Sequence, residues 1–98
     1  MYPDDIKVTL LVVLSEKDLS VFELLFTGAY KIIKTIPGTL DPEHGLFFKD
    51  AINMKVEEAG YIYMLYQVDS PAYPHPLYFA GTDSQGVYPG APVTFLPQ

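Results

Sequence analysis

Apolar and polar positions alternate with a period of two in two stretches of the chain. In residues 6–14, IKVTLLVVL, the side chains of Ile6, Val8, Leu10, Val12 and Leu14 share one face of an extended strand. Lys7 and Thr9 open the other face, which turns apolar at Leu11 and Val13. That pattern predicts a strand that is central or covered on both sides. Residues 60–68, GYIYMLYQV, form the second strand, with Ile62, Met64 and Val68 alternating against Tyr61 and Tyr63.

Between them, residues 15–28, SEKDLSVFELLFTG, carry conflicting signals. Ser15-x-x-Asp18 has capping-box spacing, acids sit in what would be the first turn, and Gly28 suits a helix C-terminus. Against a helix, Phe22, Leu24 and Phe26 alternate with Glu23, Leu25 and Thr27, and Val and Phe favour strands. The preferred reading is a turn at 15–20 and a strand at 21–27, with a helix at 16–27 as the alternative. Residues 30–36, YKIIKTI, read as a strand with Tyr30, Ile32, Lys34 and Ile36 on one side, ended by Pro37-Gly38. Residues 37–46 read as a loop, 46–54 as two short strands or an irregular crossover, and 55–60 as a corner.

The texture changes after Val68. Residues 69–98 hold six of the nine Pro and no Lys. DSPAYPHP reads as a turn or extended polyproline-like segment. LYFAG and PVTFL are short strand candidates, and TDSQGVYPGA between them is a turn-rich loop. The whole, residues 1–98, reads as one domain with a Pro- and Tyr-rich C-terminal segment from residue 69.

Charge narrows the function classes. Six basic residues, all Lys, stand against twelve acids, for a net charge of −6. The Lys are dispersed at 7, 17, 31, 34, 49 and 55, so no clustered basic patch for nucleic acid is expected. With no Cys there is no disulfide or thiolate chemistry, and with no Arg there is no bidentate anion clamp. The acidic start, Met1-Tyr2-Pro3-Asp4-Asp5, has neither the basic region nor the apolar run of a secretory signal. The longest apolar run, Leu10–Leu14, is far short of the ~20 residues of a membrane span, so the chain reads as soluble with no fixed compartment.

Candidate chemistry is sparse. His44 and His75 both lie in Pro-flanked loops, and no G-x-S-x-G elbow accompanies Ser15, Ser20, Ser70 or Ser84. Asp69-Ser70 and Asp83-Ser84 suit turns whose side chains bond their own backbone. Asp41, Glu43 and His44 lie close together, but D-P-E-H lacks the alternating spacing of a calcium loop. Gly81 and Gly86 are followed by Val-Tyr, not by the Lys-Ser/Thr of a phosphate loop. The expectation is therefore no enzyme, no metal and no cofactor. Tyr73, Tyr78 and Tyr88, set among Pro, together with Asp83, are the candidate partner-binding residues, because rigid rings give contact area at low entropy cost.

The segment Glu57 to Tyr63, EEAGYIY, resembles a corner of immunoglobulin-like sandwiches, in which an acid, a small residue and a Tyr enter a strand. On that resemblance Glu57 is the acid, Ala59 the small residue and Tyr61 the corner tyrosine, while Tyr63 stands where immunoglobulins have Cys. Residues 6–68 are also similar to Cna-type B repeats and pilin domains of Gram-positive surface proteins. Phe22-Glu23-Leu24, Gly45, Phe48, Ile52, Gly60-Tyr61-Ile62-Tyr63 and Gln67-Val68 follow that family's order. The family's internal isopeptide is not expected: Lys7 could be one partner, but Gln67 replaces the acid and APVTFL has no Asn or Asp.

These patterns predict an all-β fold, a small immunoglobulin-like antiparallel β-sandwich of about seven short strands with an open Pro-rich edge after residue 69. The alternative is α+β with a helix at 16–27. The expected function is a non-catalytic structural or protein-interaction module, a surface, pilin-like or virion component. It would bind a protein partner or assemble into a homo-oligomer through strand edges and Tyr/Pro-rich loops. The alternatives are a small acidic inhibitor, for instance virus-encoded, that occupies a basic site on a host protein, and a carbohydrate-binding module using Tyr73, Tyr78 and Tyr88.

Overall fold

A strand that is apolar on both faces has to lie between two covering layers, and β1 (Ile6–Ser15) does. The computed structural model describes residues 6–41, 43, 45–48, 50–69, 77–80 and 84–95. In it β1 lies at the middle of an antiparallel sheet ordered β3-β2-β1-β5-β6, with β7 also paired to β5. The neighbours are β2 (Lys31–Asp41), β3 (Gly45–Phe48), β5 (Gly60–Asp69), β6 (Leu77–Ala80) and β7 (Gln85–Val87). A second, two-stranded sheet pairs β4 (Ile52–Lys55) with β8 (Pro92–Phe95). The fold is all-β in class, with one short helix, and its antiparallel sheets curl into a half-barrel.

The two faces of β1 serve two cores. Val8, Leu10, Val12 and Leu14 pack with Ile36, Phe48 and Ile62 beneath Ile52, Val56 and Val93 of the β4–β8 layer. The Phe48 ring joins the sheets, edge-on to Phe95 at 5.6 Å and stacked with Tyr66 at 6.0 Å. On the opposite face Leu11 and Val13 pack with Tyr63 and Leu65, and Leu24 of helix α1 (Val21–Thr27) covers them.

The helix overturns the strand expected at 21–27, and it is shorter than the alternative at 16–27. Its N-cap is Ser20 rather than Ser15: the Ser20 hydroxyl accepts from the Glu23 amide at 3.2 Å. Gly28 closes it at φ 67°, its N–H donating to the Leu24 carbonyl at 3.0 Å. Once helical, Val21, Leu24 and Leu25 turn toward the sheet, whereas Phe22 and Phe26 leave the face they would share with Leu24 in a strand. The second core needs a cover over Leu11, Val13, Tyr63 and Leu65, and that packing outweighs the β propensity of Val and Phe.

Pro37-Gly38 does not end β2, and most of the loop expected at 37–46 is strand: β2 runs on to Asp41, and Gly38–Asp41 pair with Gly45–Phe48. Among the described residues β3 pairs only with Gly38–Asp41, so Pro37 sits where the outer side of β2 has no ladder for a missing N–H to break. Gly38 is needed because any Cβ there would strike the Phe47 carbonyl oxygen and the Phe48 ring. The expected alternation of 30–36 also fails. The β1–β2 register shifts between Val12 and Val13, which face Lys34 and Ile32, leaving Ile33 as an extra residue. Ile33 therefore packs against the core and Ile32 is 53% exposed. The open choice at 46–54 resolves as two short strands, β7 occupies part of the expected turn-rich loop, and eight strands are described rather than about seven.

Candidate interaction surfaces

Each expected site residue can be placed on this frame. Tyr73, Asp83, His44 and His75 lie outside the described residues, as does the side chain of Asp41, so the Asp41-Glu43-His44 set has no described geometry. Tyr78 is exposed on β6 opposite Gln67, and Tyr88 is exposed just after Val87, which lies opposite Gly60. Seven residues of β5 separate those rows, about 23 Å at ~3.3 Å per residue, so Tyr78 and Tyr88 do not form one patch. Glu57 is exposed in the corner before β5, and the half-buried Tyr61 ring lies under Gly86.

Tyr63 is the tyrosine that bonds distant backbone. It is 0% exposed, and its hydroxyl donates to the Leu19 carbonyl at 2.6 Å and accepts from the Leu19 amide at 2.8 Å. This clamps the 16–20 turn to the sheet. A second tie runs from the Ser84 hydroxyl to Asp18 Oδ1 at 2.6 Å. The turn leading into α1 is thus held by β5 and by the residue before β7.

On the outer side of that helix, Phe22 and Phe26 stack at 5.9 Å while 75% and 80% exposed. The i, i+4 spacing that produces this pair is present in the sequence, but a strand at 21–27 would set Phe22 and Phe26 four residues apart along one face with Leu24 between them, not stacked.

No family model matches this sequence, and no curated protein and no solved structure matches it. The surface must therefore be read from its own chemistry.

One opening lies where the half-barrel fails to close. From Lys31 to Pro37, β2 is paired with β1 alone among the described residues. The chain leaves β3 and continues as β4, which pairs with β8 instead of β2. Between the start of β2 and the end of β4 is a cavity of about 380 Å³. Its apolar lining is Leu14, Ile32, Ile33, Met54 and Val56, and its charged lining is Lys31, Lys55, Glu57 and Glu58. An adjoining cavity of about 330 Å³ shares Leu14, Lys31 and Glu58 and reaches Ser15 and Tyr30. The exposed Lys31–Glu58 ion pair stands between the two. Sequence reasoning missed this seam, because it depends on which strands become neighbours.

Proposed function

We propose that the chain is a non-catalytic protein-interaction module that takes up an extended segment along the outer edge of β2. The observation that carries this reading is the outer edge between Lys31 and Pro37, unpaired among the described residues and bordered by an apolar-floored cavity. A free edge offers backbone N–H and C=O groups to an added strand, and pockets for alternate side chains give selectivity. Lys and Pro on an edge also discourage unwanted pairing. Here, however, Ile32 is left exposed between Lys31 and Lys34, and a hollow runs beside the edge, which suits uptake better than protection.

Display selection of short random peptides, followed by amide hydrogen exchange of the complexes, tests this. In the free protein, amides of Lys31–Ile36 that point away from β1 exchange readily, and a bound strand slows them. Selected peptides that bind without slowing any of these amides, or a selection that yields no binder, count against the reading.

A further inference from the structure

We infer that the Phe22–Phe26 pair on helix α1 is a second interaction site, an anchor that seats in an apolar groove of a partner protein rimmed by Lys or Arg. It lies on the face of the sheet opposite the β4–β8 layer and does not depend on the strand edge. The carrying observation is that α1 is firmly fixed and still shows two large rings to water. Seven residues, barely two turns, do not hold a helix alone. Here Leu24 is buried against the sheet, and Ser20 and Gly28 cap the ends. The turn before the helix is tied by Tyr63 to Leu19 and by Ser84 to Asp18. On that platform Phe22 and Phe26, 75% and 80% exposed, stack at 5.9 Å. Two rings at i and i+4 are the anchor pattern of a helix laid in a groove, and their stacking limits the freedom left to lose on docking.

The charge beside the rings specifies the partner's rim. Glu23 is the one charged residue of α1, and three residues before Phe26 it is a neighbour of that ring on the helix surface. It is exposed and has no ion-pair partner among the described residues. The turn adds Glu16 and Asp18 against Lys17, so residues 16–27 carry three anions and one cation. A partner that covers both rings strips water from Glu23, and a carboxylate losing its water is costly unless a cation meets it.

A bilayer fits this face less well. Helices that lie in a membrane interface carry Lys or Arg on their polar face, whereas α1 carries Glu23 in a chain of net charge −6. Area argues against a second copy. At ~150–250 Å² per aromatic side chain, rings 75% and 80% exposed offer roughly 230–390 Å² together. A stable interface takes about 800 Å² from each partner. At ~1.5 Å per residue α1 is about 10 Å long. One such convex helix laid on its copy buries little beyond the rings, whereas a groove also encloses their flanks.

The test uses the whole chain and two synthetic helical hairpins whose groove is lined by Leu, one rimmed by Lys and one by Glu. Binding is read by calorimetry at low and high salt, and amide exchange locates the contact. The Lys-rimmed hairpin is expected to bind and to slow exchange in α1; the Glu-rimmed hairpin is not. Phe22→Ser with Phe26→Ser, which leaves every charge in place, should weaken binding about tenfold or more. Glu23→Gln should weaken it about three- to tenfold and flatten its salt dependence. Thermal melts check that each variant folds.

Lys-rimmed binding that survives loss of both rings is general attraction to an acidic chain and overturns the proposal. Equal binding of both hairpins, or binding by neither, also overturns it. Slowing of the Lys31–Ile36 amides in place of those in α1 assigns the contact to the strand edge instead. Ring-dependent uptake by phosphatidylcholine vesicles without hairpin binding overturns it in favour of a bilayer. Concentration-dependent dimers that the Phe variants abolish overturn it in favour of a second copy.

Discussion

Replacing Tyr63 by Phe removes one oxygen from a site where it makes two bonds. The ring is fully buried on the helix-covered face, and its hydroxyl both donates to and accepts from the backbone of Leu19. Phe fills the same volume, so the loss is polar rather than steric. Each hydrogen bond contributes about 0.5–1.5 kcal/mol net. Leu19 is half-buried, so water recovers part of what its N–H and C=O lose. The expected loss is about 2 kcal/mol, against a total stability of about 5–15 kcal/mol for a chain of this length. In urea unfolding that lowers the midpoint by about 1 M with an unchanged slope, and in thermal melts it lowers Tm by about 8–16 °C. Amide exchange at Leu19 and through α1 should accelerate beyond the global change, because the tether of the 16–20 turn is released. Tyr61→Phe, two residues away and half-buried, should shift stability by no more than about 0.5 kcal/mol. A Tyr63→Phe loss below about 0.5 kcal/mol with Leu19 exchange unaltered would refute the claim that this hydroxyl fixes the turn.

Other substitutions test the same account. Ser20→Ala should cost about 1 kcal/mol and speed exchange at Glu23, since the cap accepts from that amide. Gly38→Ala should cost about 1–3 kcal/mol in chemical denaturation, because the added Cβ meets the Phe47 carbonyl and the Phe48 ring that joins the sheets. Leu24→Ala should cost about 2–5 kcal/mol by opening the core between α1 and β1, and a melt within 2 °C or so of the parent would contradict that packing. The double change Phe22→Ser with Phe26→Ser should move stability by only about 0.5 kcal/mol per site while reducing binding of hydrophobic dyes, because both rings face solvent.

The chain's local patterns reveal β1, β5, β6 and β8, but they do not determine how those strands are arranged. Leu11 and Val13 interrupt the polar side of β1, and this reads directly as a central position because no other site could bury both faces. The helix is harder to read for a physical reason. Seven residues span barely two turns, so the 3.6-residue stripe of Val21, Leu24 and Leu25 competes on equal terms with a two-residue alternation. The discriminating signal is Ser20-x-x-Glu23, five residues beyond the Ser15-x-x-Asp18 spacing. Pro37-Gly38 misleads for a different reason. Pro stops a strand only where its missing N–H would face a paired neighbour, and among the described residues β2 has no outer neighbour at Pro37. The bulge at Ile33 likewise follows from the pairing with β1 and has no marker of its own.

The same non-locality governs the candidate site. Tyr78 and Tyr88 are exposed, as rings among Pro and Gly suggest, but β5 holds them on rows too far apart to act together. The seam arises because β1 requires two covers. One is α1 and the other is the β4–β8 pair, and forming the second means that β4 leaves the line of β3 and pairs with β8. The strand that would otherwise have closed the barrel against β2 is thus committed to the core. What this leaves along Lys31–Pro37 is a backbone edge paired with β1 alone among the described residues, beside a seam whose apolar floor is rimmed by Lys31 and Lys55 against Glu57 and Glu58.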